Sequence, residues 1–320
     1  MPAQSAVDPI DLAGSQSPSV GPKTALVARS LRAWAHEHGL STESRIGLVA
    51  LGVTGAAPEL LIDRLTVISK SLLWLCAIDD VFDESRLPLR LLEDACAQYV
   101  RQAAGARTTR WPGPDTLGTA LQSIVEAMRP FPLFGELRAH WAGALDRTLA
   151  AMSWEYRASD RYRTVGNASA LPTFDAYMDY GRVSIGLPLY AAVVMATSDD
   201  PSVVDHVAAM QVLVRDSGTC VRLANDLGTH ARDVVEGKVN SLVVRHAEIA
   251  SEGLAGNDPW MQARASIRGR AITALNRARV ATRAVQTPTR EPESAIFGCA
   301  AFASGFYARD IRAVQTTAPA

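Results

Sequence analysis

Apolar residues recur every three to four positions along most of this chain, the repeat of helices with one buried face. Thr24 to His38 reads as a helix closed by Gly39. In the long stretch Glu59 to Glu84, Leu60, Leu61, Leu65, Ile68, Leu72, Leu75 and Ile78 keep helical spacing. Leu87 to Ala103 follows, then Asp115 to Arg129, halted by Pro130 and Pro132, then Leu133 to about Arg157. A polar stretch, Ser159 to Ala170, separates that helix from one opened by Pro172 and Thr173. Gly186 and Pro188 should break or kink the latter. A long helix over Val203 to Val235 ends near Gly237, and helices over Asn240 to Ser251, Asp258 to Val285 and Glu293 to Val314 complete the pattern. No convincing strand and no internal repeat interrupts it. The expected fold is all-α, one domain over residues 23–312. Residues 1–22, rich in Pro, Ser, Gly and Ala without period, read as a disordered tail, and 313–320 as a flexible one.

Composition sets limits on the function. With 48% apolar and 20% charged residues, the chain can bury a large core. Its net charge is −1 and its basic residues are scattered, so no nucleic-acid surface is expected. No apolar run reaches the ~18 residues of a membrane span, and the N-terminus has no secretory pattern. Cys76, Cys96, Cys220 and Cys299 are widely spaced with no CxxC pair, as reduced core thiols would be. These features together predict a cytoplasmic protein.

Two oxygen-rich patterns carry the chemistry. The first, Asp79-Asp80-Val81-Phe82-Asp83-Glu84, ends a strongly apolar run. Asp79 and Asp83 are four apart and share a helix face. Clustered carboxylates at a helix C-terminus repel one another and oppose the helix dipole. A cation relieves both effects, and Mg2+ commonly bridges one or two carboxylates to substrate phosphates. In the second pattern Asn225, Thr229 and Asp233 repeat every four residues and drift only ~40° per step, so they also line one face. An amide oxygen, a hydroxyl and a carboxylate make a hard-oxygen set, with Asp226 placed to support it. Arg222, Arg232 and Lys238 surround this set with positive charge, which suggests a bound anion. Each pattern alone also reads as a solvated polar helix face; their joint occurrence favours two half-sites clamping one diphosphate. The six histidines show no metal spacing.

On these residues the chain resembles the class I terpene synthases of bacterial type. Asp79-Asp80-x-x-Asp83 is similar to the family's aspartate-rich motif. Asn225, Thr229 and Asp233 are similar to its second metal motif, with Asp233 where Glu is usual, one methylene shorter. Tyr180-Gly181-Arg182-Val183-Ser184-Ile185-Gly186 looks like its helix carrying a diphosphate-sensing Arg and a helix-break Gly. The resemblance covers residues 70 to 245 in the family's order. It implies a helical bundle around a central apolar pocket, with three Mg2+ ions holding a diphosphate at the mouth. Asp79 and Asp83 would hold metal from one side; Asn225, Thr229 and Asp233 would hold it from the other. Arg182, Lys238 and Arg232 would bind diphosphate oxygens. The family's late Arg-Tyr pair is only half kept: Tyr307 matches, the Arg is missing from its place, and Arg309 is the candidate substitute. A homodimer is also a family expectation.

The implied reaction is ionisation of an allylic isoprenyl diphosphate and cyclisation of the cation. Arg182, Gly186 and Tyr307 are the candidate catalytic residues, Gly186 by aiming a backbone carbonyl at the cation. Trp74, Phe82, Trp154, Tyr177, Tyr180 and Phe302 are candidate pocket aromatics, since ring faces stabilise cations; Trp111 and Trp260 rank below them. Each also reads as core packing. A chain-elongating prenyltransferase would carry a second aspartate-rich motif, and a head-to-head condensing synthase two DxxxD motifs; neither pattern is present. A non-catalytic helical partner with the same fold is a further alternative. Few aromatics (6%) and abundant Ala and Gly leave room for a long chain, so geranylgeranyl diphosphate is the expected substrate and farnesyl diphosphate the alternative.

Overall fold

The structure is a computed structural model that describes residues 20–84, 88–106, 115–252 and 258–315, without the side chains of residues 84 and 307–315. Twelve α-helices are seen among the described residues: α1 Val20–Glu37, α2 Glu43–Ala56, α3 Ile62–Glu84, α4 Leu89–Ala104, α5 Thr116–Met128, α6 Phe134–Val165, α7 Phe174–Ser184, α8 Leu187–Ala196, α9 Val203–Val235, α10 Ser241–Ser251, α11 Pro259–Ala284 and α12 Glu291–Gln315. No strand occurs among these residues.

Local chemistry sets most boundaries. Asp115, Thr173, Asn240 and Asp258 each accept a backbone N–H at the start of their helices, a cap that stabilises by about 1 kcal/mol. Gly166 ends α6 at φ +72°, a conformation that costs a side chain little only when it is glycine.

α8 is apolar and buried on every side, which marks it as a central helix. It packs against α3, α6, α9 and α12. α3 lies beside it and buries Leu65, Ile68, Leu73, Trp74, Leu75, Ile78 and Phe82 in the main core. A second core forms where α7, α9, α10 and α11 meet, around Phe174, Tyr177, Leu223, Leu242 and Ile267. No described helix is long and apolar enough to cross a membrane.

Four expectations change. α1 begins at Val20, inside the stretch read as a tail, and Val20 is buried. α12 runs to Gln315, past the boundary at 312. The helix α2 was not foreseen; its buried residues Ile46, Val49, Ala50 and Val53 keep helical spacing, but Gly47, Gly52 and Gly55 dilute the pattern. The polar stretch after Arg157 is also helical as far as Val165, because α6 turns a solvent-facing side outward there while Ser159 stays buried.

Candidate active site

α3 and α9 bring the two oxygen-rich patterns to one cavity of about 520 Å3. Asp79, Asp80 and Asp83 line it from α3, and Asn225, Thr229, Arg232 and Asp233 from α9. The turn after α9 closes the gap between them: Lys238 Nζ donates to Asp83 Oδ2 at 2.6 Å and pairs with Glu236 at 2.8 Å. Gly237, at φ +66°, allows that turn. Burial works against the Lys238 charge, but the bonds to Asp83 and Glu236 outweigh it and hold the ammonium above its ordinary pKa.

The second pattern is organised before any ligand arrives. Thr229 Oγ1 donates to Asp233 Oδ2 at 2.6 Å, and Asn240 Nδ2 donates to the same oxygen at 2.8 Å. Asn240 also caps α10, so the start of one helix orients a carboxylate on another. Asp226 also lines the cavity, and its carboxylate is held from the side of the second core. Its Oδ2 accepts from the Tyr177 hydroxyl at 2.8 Å and from Ser241 N–H at 3.0 Å, and its Oδ1 is 3.0 Å from Arg222 Nε. Arg222 also donates to the Tyr177 hydroxyl and pairs with Glu155. Burial disfavours this guanidinium charge, but Asp226, Glu155 and Tyr177 surround it and keep it protonated. This buried network ties α6, α7 and α9 together and forms part of the cavity wall through Glu155, Arg222 and Asp226.

Asp79 has its carboxylate open to the cavity, yet packed protein crowds it from behind. Burial, then repulsion from Asp83 and Glu155, pushes its pKa up to about 7. A carboxylate destabilised in this way suits a cation at the site. No preformed cage of three His, Cys, Asp or Glu side chains exists among the described residues. In Mg2+ sites amide, hydroxyl, water and phosphate oxygens commonly complete the shell. Asp79 and Asp83 opposite Asn225, Thr229 and Asp233 are a fitting donor set.

A model for terpene synthase family 2, C-terminal metal binding, matches residues 70–248. The chain belongs to this family. Terpene synthases are lyases that act on isoprenyl diphosphates, and the metal-binding region lies within the matched residues. Solved terpene synthases share the fold. Linalool/nerolidol synthase from Streptomyces clavuligerus, in complex with 2-fluorogeranyl diphosphate, superposes with a TM-score of 0.69 at 15% identity, over 91% of this chain and 99% of that one. The 2-methylisoborneol synthase of Streptomyces coelicolor A3(2), in complex with Mg2+ and geranyl-S-thiolodiphosphate, gives 0.66 at 16%, over 91% of each chain.

Other expected site residues of this terpene synthase lie elsewhere. Arg182 is outside the cavity lining, with its guanidinium on Asp179 at 2.6 Å, one turn back on the same helix. Gly186 breaks the chain between α7 and α8 as expected, at φ +86°, but its carbonyl accepts the Tyr190 N–H at 2.9 Å and begins α8. Of the six aromatics, Phe82 lines the cavity. Trp74 instead donates its indole N–H to Leu117 O and packs edge-on against Tyr99. Trp154 stacks on the exposed Tyr180. Tyr177 is committed to the Asp226 network, and Phe302 packs beside Gly55 of α2. Trp260 lies under His246 on the outer surface. The side chains of Tyr307 and Arg309, and all of Trp111, lie outside the described residues.

Some lining residues were not foreseen. Arg45, from α2, holds Asp80 Oδ1 at 2.7 Å and so ties up the middle carboxylate of the motif. Arg163, Tyr156 and Met152 come from α6, with Arg163 in the stretch read as a loop. The spacing Met152, Tyr156, Ser159, Arg163 is helical, and it could have revealed this face.

Proposed function

We propose that this terpene synthase ionises geranylgeranyl diphosphate and cyclises the cation to a diterpene, using three Mg2+ ions. One observation carries the reading of the site: the aspartates of α3 and the Asn-Thr-Asp face of α9 line one cavity, and Lys238, from the turn after α9, is paired with Asp83 of α3. When bound, Mg2+ would neutralise charge that develops on the departing diphosphate. Asp79 and Asp83 hold metal from one side, and Asn225, Thr229 and Asp233 from the other. Lys238 exchanges its carboxylate partners for diphosphate oxygens, with Arg232, Arg45 and Arg163 at the rim. Arg182, paired with Asp179, is assigned to the diphosphate, as are Tyr307 and Arg309. Phe82 and Tyr156, with ring centroids 6.1 Å apart, line the cavity and are the aromatic faces we assign to the cation.

Low aromatic content supports the long substrate. The structural relatives that hold geranyl analogues favour a shorter one. The test is incubation of the purified protein with Mg2+ and, separately, geranyl, farnesyl and geranylgeranyl diphosphates, with products read by gas chromatography and mass spectrometry. A cyclic twenty-carbon product, lost with chelator, is expected. A fifteen-carbon product alone would replace the proposed substrate by farnesyl diphosphate. We further propose a cytoplasmic location and a homodimer.

A further inference from the structure

α11 carries a charge pattern that the active site does not use. Its 26 residues include Arg264, Arg268, Arg270, Arg277, Arg279 and Arg283, and no acidic residue. The remainder of the chain therefore holds 26 lysines and arginines against 33 acidic residues, a net charge of −7. The inward seam of the helix is small and apolar, with Ala263, Ile267, Ala271, Ala274, Ala278 and Ala281 buried. Outward, Arg264, Arg268, Arg277 and Arg283 are exposed and form no ion pair among the described residues.

Apolar side chains sit among these arginines. Met261, Ile272 and Val280 are 71%, 45% and 67% exposed. On a helical projection they share a sector of about 120° with Arg268 and Arg283, and Arg264 and Arg277 flank it. The strip starts beside the active site. Trp260, at the head of α11, is 5.2 Å from His230, which lies between Thr229 and Asp233 on α9.

We propose that this face docks the protein on an anionic lipid surface, with the arginines on headgroups and Met261, Ile272 and Val280 at the acyl boundary. Basic side chains flanking an apolar strip are the chemistry of interfacial helices. A nucleic acid would call for stacking rings, and the ring at this face, Trp260, is already stacked on His246 at 3.7 Å. Like charge opposes pairing of this face with itself in a second copy. The docking rests on α11 alone. Its use, bringing an amphiphilic diphosphate to the nearby mouth, rests on the proposed reaction.

The test uses the full chain and reads binding, not turnover. Vesicles of phosphatidylcholine with phosphatidylserine are compared with phosphatidylcholine alone by co-sedimentation, at low and high salt. Binding to the anionic vesicles that weakens with salt is expected. Neutralising each arginine should weaken it about fivefold, and the triple variant Arg268→Gln, Arg277→Gln, Arg283→Gln on the order of a hundredfold. Unchanged circular dichroism would show that this variant still folds. The pair Met261→Ser, Val280→Ser should lower the binding that survives high salt. Failure of the wild type to bind anionic vesicles at low salt would overturn the proposal. So would equal binding by the triple variant. Equal capture by soluble polyglutamate or RNA, indifferent to the serine pair, would also overturn it, because the face would then be a general polyanion site.

Discussion

Asp79 carries a negative charge that its surroundings disfavour. Its pKa in the folded protein is about 7, against an ordinary carboxylate value when unfolded. The folded state therefore binds more protons between those two values, and this group's contribution to stability falls as pH rises through that window. In metal-free buffer, Asp79→Asn should gain thermal stability relative to wild type as pH rises from ~5 to ~8. Thermal unfolding across that range checks this, and a flat difference would refute it. Asn240→Ala removes a donor from Asp233, and losing such a support costs about 10–100-fold in metal affinity or activity. A Mg2+ titration of diphosphate release would show it as a raised half-saturating concentration. The shared faces of the two oxygen-rich patterns were legible from sequence because i, i+4 spacing places them whatever the tertiary fold. Arg45 was not, because only packing brings the start of α2 to the end of α3, and no spacing within the chain records that.

Among the elements, the break between α7 and α8 depends on one backbone conformation. Gly186 sits at φ +86°, and a Cβ there would stand 2.6 Å from Leu75 Cδ2 on α3. Gly186→Ala should cost at least ~1–2 kcal/mol from the left-handed backbone alone, read as a lower denaturant midpoint. Wild-type stability in that variant would show the break to be incidental. Close approach also matters nearby: a Cβ on Gly218 of α9 would stand 2.5 Å from the Arg182 carbonyl oxygen, so α9 can rest against this break only without a side chain there. The kink was visible in the Gly186-Leu187-Pro188 sequence. The polar end of α6 was not, since its outward residues resemble a loop until Ser159 is seen accepting the Val239 N–H at 3.0 Å.

At the scale of the molecule, α3 and α9 supply the oxygen-rich groups that line the cavity, and the core around α8 holds the two helices in register. The aromatic residues show where sequence reasoning stops. Trp74, Trp154, Tyr177 and Phe302 all lie on helices, but which side each faces is set by neighbours distant in the chain. The proposed site is one site made of two halves, neither of which holds diphosphate alone. The direct measurement is calorimetric binding of inorganic diphosphate with Mg2+ to wild type, Asp83→Asn, Asn225→Ala and the double variant. If the halves act on one ligand, each single variant loses nearly as much as the double, a coupling of about 0.5–3 kcal/mol. Binding without Mg2+, or losses that simply add, would contradict the shared site.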